Sequence, residues 1–238
     1  MKTRTRYRSR PLGYIEYPLR DQELRRVTRG RRPSPQRNIR SEIDYLAGAP
    51  DAFDTVVKQV AAAGSRHADL EAAAGAAQPR AVLLEQWRAG RIEVAAALRD
   101  IPVDQEFPWF DSPLTAALMV PLRLMETWAH GQDIYDAVGV THPPTSRLRQ
   151  VATLGVLGVP LSFYAAQLPT PTEPFRVELT GPDGETWAWG PAAAEQRVQG
   201  SALDFCLRVT QRRPLAETDL TAVGVDAKQW LEIARVFL

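Results

Sequence analysis

The run from Leu161 to Gly190, LSFYAAQLPTPTEPFRVELTGPDGETWAWG, decides the fold class, because the hydrophobic period changes inside it. Up to Leu168 it completes a helical pattern that begins at Thr145 or Ser146, with Pro160 as a kink. The stretch Thr170–Pro174, TPTEP, reads as a linker. After it Phe175, Val177 and Leu179 alternate, Gly181-Pro182-Asp183-Gly184 turns the chain, and Trp187 and Trp189 alternate back. That is a β-hairpin. A chain that is helical on one side of a linker and paired in strands on the other is mainly α with an α+β part.

Working outward from the switch, the upstream sequence reads as helices. Ser41–Gly64 gives a short helix, a break at Pro50 and a second helix from Asp51. Ala81–Ile101 places Leu84, Trp87, Ile92, Ala95 and Leu98 near helical spacing, weakened by Gly90. Pro102–Pro113 is a loop carrying Phe107, Trp109 and Phe110. A long helix follows from Leu114 to Val138, with Gly139 as the residue that ends it. Pro121 either kinks this helix or restarts it. Downstream, the SALDFCLRVTQRR and DAKQWLEIARVFL runs are amphipathic helices. These patterns divide the chain into residues 1–40, a helical unit over 41–168 and a small α+β unit over 169–238.

Composition narrows the classes. The 238 residues are 45% hydrophobic and 24% charged, as in a soluble globular protein. No run of 18 apolar residues predicts a membrane span, and the start lacks the apolar core of a secretory signal. A single cysteine, Cys206, excludes an internal disulfide, suits a reducing cytoplasm and reads as a buried, inert thiol. The net charge of +1 hides an asymmetry. Residues 1–40 hold 13 Lys and Arg against 3 acids, and the rest of the chain is correspondingly acidic. The basic head, with Pro33 and Pro35 and no apolar period, is either a solvated, disordered tail, an aberrant segment of altered reading frame, or an arm that touches nucleic acid electrostatically.

The chemistry concentrates in Arg123–Gly139, RLMETWAHGQDIYDAVG. Glu126 and His130 stand four residues apart on a helix, so their side chains point the same way and can reach one ion. Asp133 follows three residues later as a further ligand or as the carboxylate that orients the imidazole. Leu118, Leu122, Met125 and Ala129 form the adjacent apolar stripe. Spacing alone leaves a metal pair, an exposed ion pair and a satisfied histidine all open. A catalytic zinc takes three protein ligands and an open position. The other histidines, His67 and His142, read as surface residues, and a carboxylate could complete the set instead. Arg212 and Arg213 end a helix, where positive charge favours the dipole; the sharper reading is an anion-binding arginine facing a cleft.

Four stretches, RLMETWAHGQDIYDAVGV, TSRLRQVATLGV, VELTGPDGETWAWGP and GSALDFCLRVTQRR, together resemble the actinobacterial mycothiol-dependent maleylpyruvate isomerase-like family, in a metal-binding branch. The resemblance implies a DinB-like four-helix bundle followed by a small sterol-carrier-like α/β domain. It implies a cytoplasmic isomerase or S-transferase that uses a divalent metal, zinc, and the low-molecular-weight thiol mycothiol on a small electrophilic or carboxylate substrate. Glu126 and His130 match the family's metal ligands on one bundle helix. Arg212 stands where isomerase-like members place a functional arginine in a TGR-type sequence, with Gln211 here in place of the Gly. The family's early ligand lies in a pattern like W-x-x-R-D-Q-x-x-H-L. Arg20–Gln22 supply the R-D-Q, Glu23-Leu24 follow, and no histidine precedes His67. The alternative is a non-catalytic binding or regulatory descendant with an incomplete metal site.

Overall fold

The structure, a computed structural model, describes residues 50–63, 70, 73–74, 77–99, 101–107 and 114–236. The basic head, the Arg20–Gln22 motif, His67, Trp109, Phe110 and the Phe237-Leu238 end lie outside the described residues. The chain divides into two compact units after Glu126.

In the first unit, α1 spans Pro50–Ala63 and α2 spans Arg80–Arg99. Strands β1 (Glu106–Phe107) and β2 (Leu114–Thr115) pair antiparallel. Helix α3 begins at once, at Ala116, and runs to Val138. Its first N–H groups are not orphans: Ala116 and Ala117 donate to the Gln105 and Val103 carbonyls. Ala116 and Met119 are buried, with Leu98 and Ile101 packed on them. Pro121 neither ends nor restarts the helix but lies inside it. Near the N-terminal end a proline removes only one i to i−4 bond, which the remaining turns tolerate.

The second unit is an α+β layer pair. Strands β3 (Phe175–Thr180), β4 (Thr186–Trp189), β5 (Gln196–Ser201) and β6 (Thr221–Val223) form one sheet in the order β4-β3-β5-β6. The β3–β4 hairpin has the expected register, with Val177 opposite Trp189 and Leu179 opposite Trp187. Its turn closes through the Gly181 N–H to the Glu185 carbonyl and the Gly184 N–H to Gly181. Strand β5 pairs parallel to β3, and β6 antiparallel to β5. Neither β5 nor β6 is legible in the sequence. Gln196–Ser201 carries one apolar side chain, Val198, so no alternation marks it.

One sheet face is apolar. Val177, Leu179, Trp187 and Val198 are buried to 1% exposure or less. Helices α6 (Ala202–Val209) and α7 (Val225–Ile233) cover it, with Phe205 and Trp230 meeting edge to face at 5.8 Å and Phe175 meeting Trp230 at 5.4 Å. Each such aromatic stabilises the unit by about 1.5–3 kcal/mol through burial, plus a smaller geometric contribution. The other face carries a polar network in which Arg176, Arg197 and Gln199 all donate to the Glu178 carboxylate. The alternation of the two sets along β3 and β5 is the strand period made visible.

The helical run expected over Thr145–Leu168 is two helices, α4 (Leu148–Leu157) and α5 (Val159–Ala165), joined at Gly158. Pro160 has no N–H to return to the preceding turn, but as an early residue of a new helix it needs none. A Cβ on Gly158 would stand 2.8 Å from the Arg235 carbonyl oxygen, so glycine permits the close approach. Residue 147, an arginine, precedes α4 without a side-chain cap; Thr145 and Ser146 contribute only their carbonyls, to the N–H groups of Leu148 and Arg149. Helix α6, by contrast, has a cap: the Ser201 hydroxyl accepts from the Asp204 N–H at 3.1 Å. Cys206 on α6 is fully buried, burial pushes its thiol far above the ordinary range, and its Sγ donates to the Leu148 carbonyl at 3.4 Å.

Candidate functional site

Helix α3 ends as the sequence indicates. Gly139 adopts φ +69°, and the Gly139 and Val140 N–H groups return to the Asp136 and Tyr135 carbonyls. This is a Schellman ending, which a Cβ-free residue favours. In the last turns of the helix Met125, Ala129 and Gln132 are buried. Glu126 and His130 each follow one residue after a buried position, half-buried at the edge of that stripe.

The His130 Nδ1 atom lies 3.1 Å from Asp133 Oδ2. A carboxylate only accepts, so Nδ1 carries the hydrogen, and in the neutral ring the lone pair is then on Nε2. Asp133 is itself gripped by Arg212. The guanidinium donates from Nε to Oδ1 at 3.0 Å and from Nη2 to Oδ2 at 2.8 Å, a two-pronged, charge-assisted contact. Arg212 also donates from Nε to the Ala129 carbonyl and from Nη1 to the Thr210 carbonyl. Its side chain is only 13% exposed, against 38% for His130 and 47% for Asp133.

Arg212 arrives there by way of a second Schellman turn. The Gln211 and Arg212 N–H groups bond to the Arg208 and Leu207 carbonyls, and Gln211 sits at φ +62°. Glycine is the usual residue at that position. The sequence marks the spot, because it is where Gln211 replaces the Gly of the family-like pattern. It does not disclose that the turn carries Arg212 to Asp133, a residue 79 positions away.

The other sequence candidates fall elsewhere. His142 stacks on Tyr135 with centroids 4.3 Å apart and planes within 6°, and its Nδ1 is buried without a hydrogen-bond partner among the described residues. A cleft of about 390 Å³ opens beside it, lined by Gln132, Tyr135, Asp136, Leu207 and Arg213. Gln132 and Asp136 are joined by a 2.7 Å hydrogen bond, as their i, i+4 spacing allows. Arg213 reaches Asp204 at 3.7 Å, so the two adjacent arginines serve different carboxylates. Among the described residues no three His, Cys, Asp or Glu side chains gather as a metal-holding cluster. The donor types of Glu126 and His130 suit a divalent ion, and in the neutral imidazole the Nδ1 contact with Asp133 makes Nε2 the unprotonated nitrogen that a ligand needs.

Comparison with known proteins gives the setting. Residues 40–135 match the family described as the mycothiol maleylpyruvate isomerase N-terminal domain, a span that includes Glu126, His130 and Asp133. Residues 171–223, which include Arg212, match the family described as wyosine base formation. An uncharacterized protein of Mycobacterium tuberculosis strain H37Rv is 51% identical over 162 residues, 68% of this chain and 63% of the relative, as is its counterpart in strain CDC 1551. The chain thus spans under two thirds of the length of these relatives. The crystal structure of the mycothiol-dependent maleylpyruvate isomerase is similar at 15% identity and a TM-score of 0.43, over 90% of each chain; a mutant of that enzyme gives the same figures.

Proposed function

We propose, from the premise that residues 40–135 belong to the mycothiol maleylpyruvate isomerase N-terminal family, that the chain is a metal-dependent isomerase or S-transferase acting through mycothiol or a similar small thiol. In this reading the helical part is a DinB-like four-helix bundle and the sheet unit a sterol-carrier-like domain. The substrate is a small electrophile, with or without a carboxylate. The observation that carries the proposal is the polar row of α3: Glu126 and His130 one turn apart, with Asp133 on His130 Nδ1.

Glu126 and His130 are the residues that would hold a divalent ion, zinc by the resemblance, and Asp133 orients the imidazole for that task. A divalent ion supplies a lowered pKa to a coordinating thiol, so that the thiolate is present at neutral pH. Every further step falls to the protein. The half-buried positions of Glu126 and His130 limit the water around them. Arg212 places a permanent positive charge at the same helix turn, and its Nη hydrogens not taken by Asp133 or Thr210 are the ones with which it would hold a substrate carboxylate.

The test is metal analysis of purified protein beside a His130→Ala variant. Stoichiometric zinc in the wild type, lost in the variant, is the expected result. Protein that carries none and cannot be loaded has no metal chemistry to offer. A second reading, a binding or regulatory descendant with an incomplete site, is favoured by the want of a third ligand among the described residues, and that outcome would select it. A salt-sensitive DNA mobility shift abolished by deleting residues 1–40 would instead support the nucleic-acid role of the basic head.

A further inference from the structure

We infer that Arg212 is a positioning residue, which grips Asp133 and through it fixes the tautomer and orientation of the His130 ring. The functional meaning rests on the reading of His130 as a metal ligand; the geometry itself does not. Three facts carry the inference. Asp133 accepts from both Arg212 and His130 on the same oxygen, Oδ2, at 2.8 Å and 3.1 Å. Arg212 holds the other oxygen as well, at 3.0 Å, so the carboxylate plane is set by the arginine fork. Arg212 is in turn anchored at both ends of its head group by main-chain carbonyls, Ala129 on α3 and Thr210 on its own turn.

The consequence follows from exposure. Asp133 is the most exposed of the three, and alone it would exchange its ring contact for water and for other rotamers. Held by the fork, it is already in place, and the His130 Nδ1–H meets an ordered acceptor. The α6 ending is therefore part of the device. Gln211 takes a left-handed backbone so that the next residue reaches across to α3. The cross-link joins residues 79 apart, between the two sequence spans that match two different families.

The experiment uses the full chain, metal-free and labelled with ¹⁵N-histidine, at a pH where the imidazoles are neutral. The His130 signals are assigned by their loss in His130→Ala, and the Nδ1–H to Nε2–H ratio is read from the ring nitrogen shifts. The wild type is expected to hold the Nδ1–H form. Asp133→Ala, which removes the acceptor, is expected to lower the ratio by about tenfold, and Arg212→Met by severalfold. In the Asp133→Ala background Arg212→Met should change nothing further, because its action passes through the carboxylate. Arg212→Lys keeps the charge without the fork and should fall between; if Arg212→Met does not fold, this variant decides. A ratio unchanged by loss of the fork, or a shift of equal size with and without Asp133, would overturn the inference and leave Arg212 a brace for its turn. Adding zinc to the same wild-type sample, removing the excess and measuring the bound metal separates the two claims. A clamp that controls the tautomer in a protein that takes up no zinc would sink the metal-enzyme reading and leave the clamp standing.

Discussion

Gly190 and Gly184 offer a matched pair for testing how the sheet unit is closed. Both have left-handed backbones, at φ +78° and +81°. Their surroundings differ. A Cβ on Gly184 would meet nothing within 4 Å, whereas one on Gly190 would fall inside the Phe175 carbonyl oxygen and 3.0 Å from its carbon. Alanine at either site carries the left-handed penalty of about 1–2 kcal/mol, partly offset by about 0.4–1 kcal/mol from the stiffer unfolded chain. Gly184→Ala should therefore lose about 1 kcal/mol. Gly190→Ala must also push strand β3 away at its first residue, and the Gly190 carbonyl would shift off Arg176 Nη1, now at 2.7 Å. Overpacking of this kind adds about 1–3 kcal/mol. The two variants should thus differ by about 2 kcal/mol, or roughly 1 M in urea midpoint at a slope near 2 kcal/mol/M. Tryptophan fluorescence, to which buried Trp187 and Trp230 of this unit contribute, follows the unfolding. Coincident midpoints would refute the claim that backbone proximity, rather than turn geometry, requires glycine at 190.

Gln211→Gly should raise the thermal midpoint, by up to about 1 kcal/mol of stability, since it relieves a left-handed residue without touching Arg212; a lowered midpoint contradicts the strained turn. The Glu178 carboxyl is held below its ordinary value of 4.5, chiefly by the hydrogen bond from Gln199 and then by Arg176. Its contribution is full above the unfolded value and is lost as pH falls through the lowered folded one. Glu178→Gln should flatten the acid limb of a stability-versus-pH curve below about pH 4.5, and an unchanged limb would place the acid sensitivity elsewhere. Cys206 should resist an aromatic disulfide reagent in the native protein and react only with unfolding, so its labelling rate should track the unfolding rate; fast native labelling would contradict its burial.

Local signals determined much of this molecule. The change of period after Pro174, the Gly181–Gly184 turn and the Gly139 stop each depend on residues a few positions apart, and the hairpin and the end of α3 follow them. The contact of His130 with Asp133, and the place of Glu126 one turn before His130, are likewise matters of helical spacing, readable from a dozen residues. What depends on distant partners was not readable. Strand β5 is a strand because β3 lies beside it and Val198 is drawn to the apolar face, not because its own polar sequence asks for extension. Pro160 marked a kink locally, but that the chain breaks fully into two helices there, with the Gly158 backbone against Arg235, was not readable. Arg212 shows the same division. Its sequence neighbourhood marks a helix end and a charge, and only the tertiary fold delivers that charge to Asp133, since a contact between residues 79 apart leaves no periodic trace in either segment.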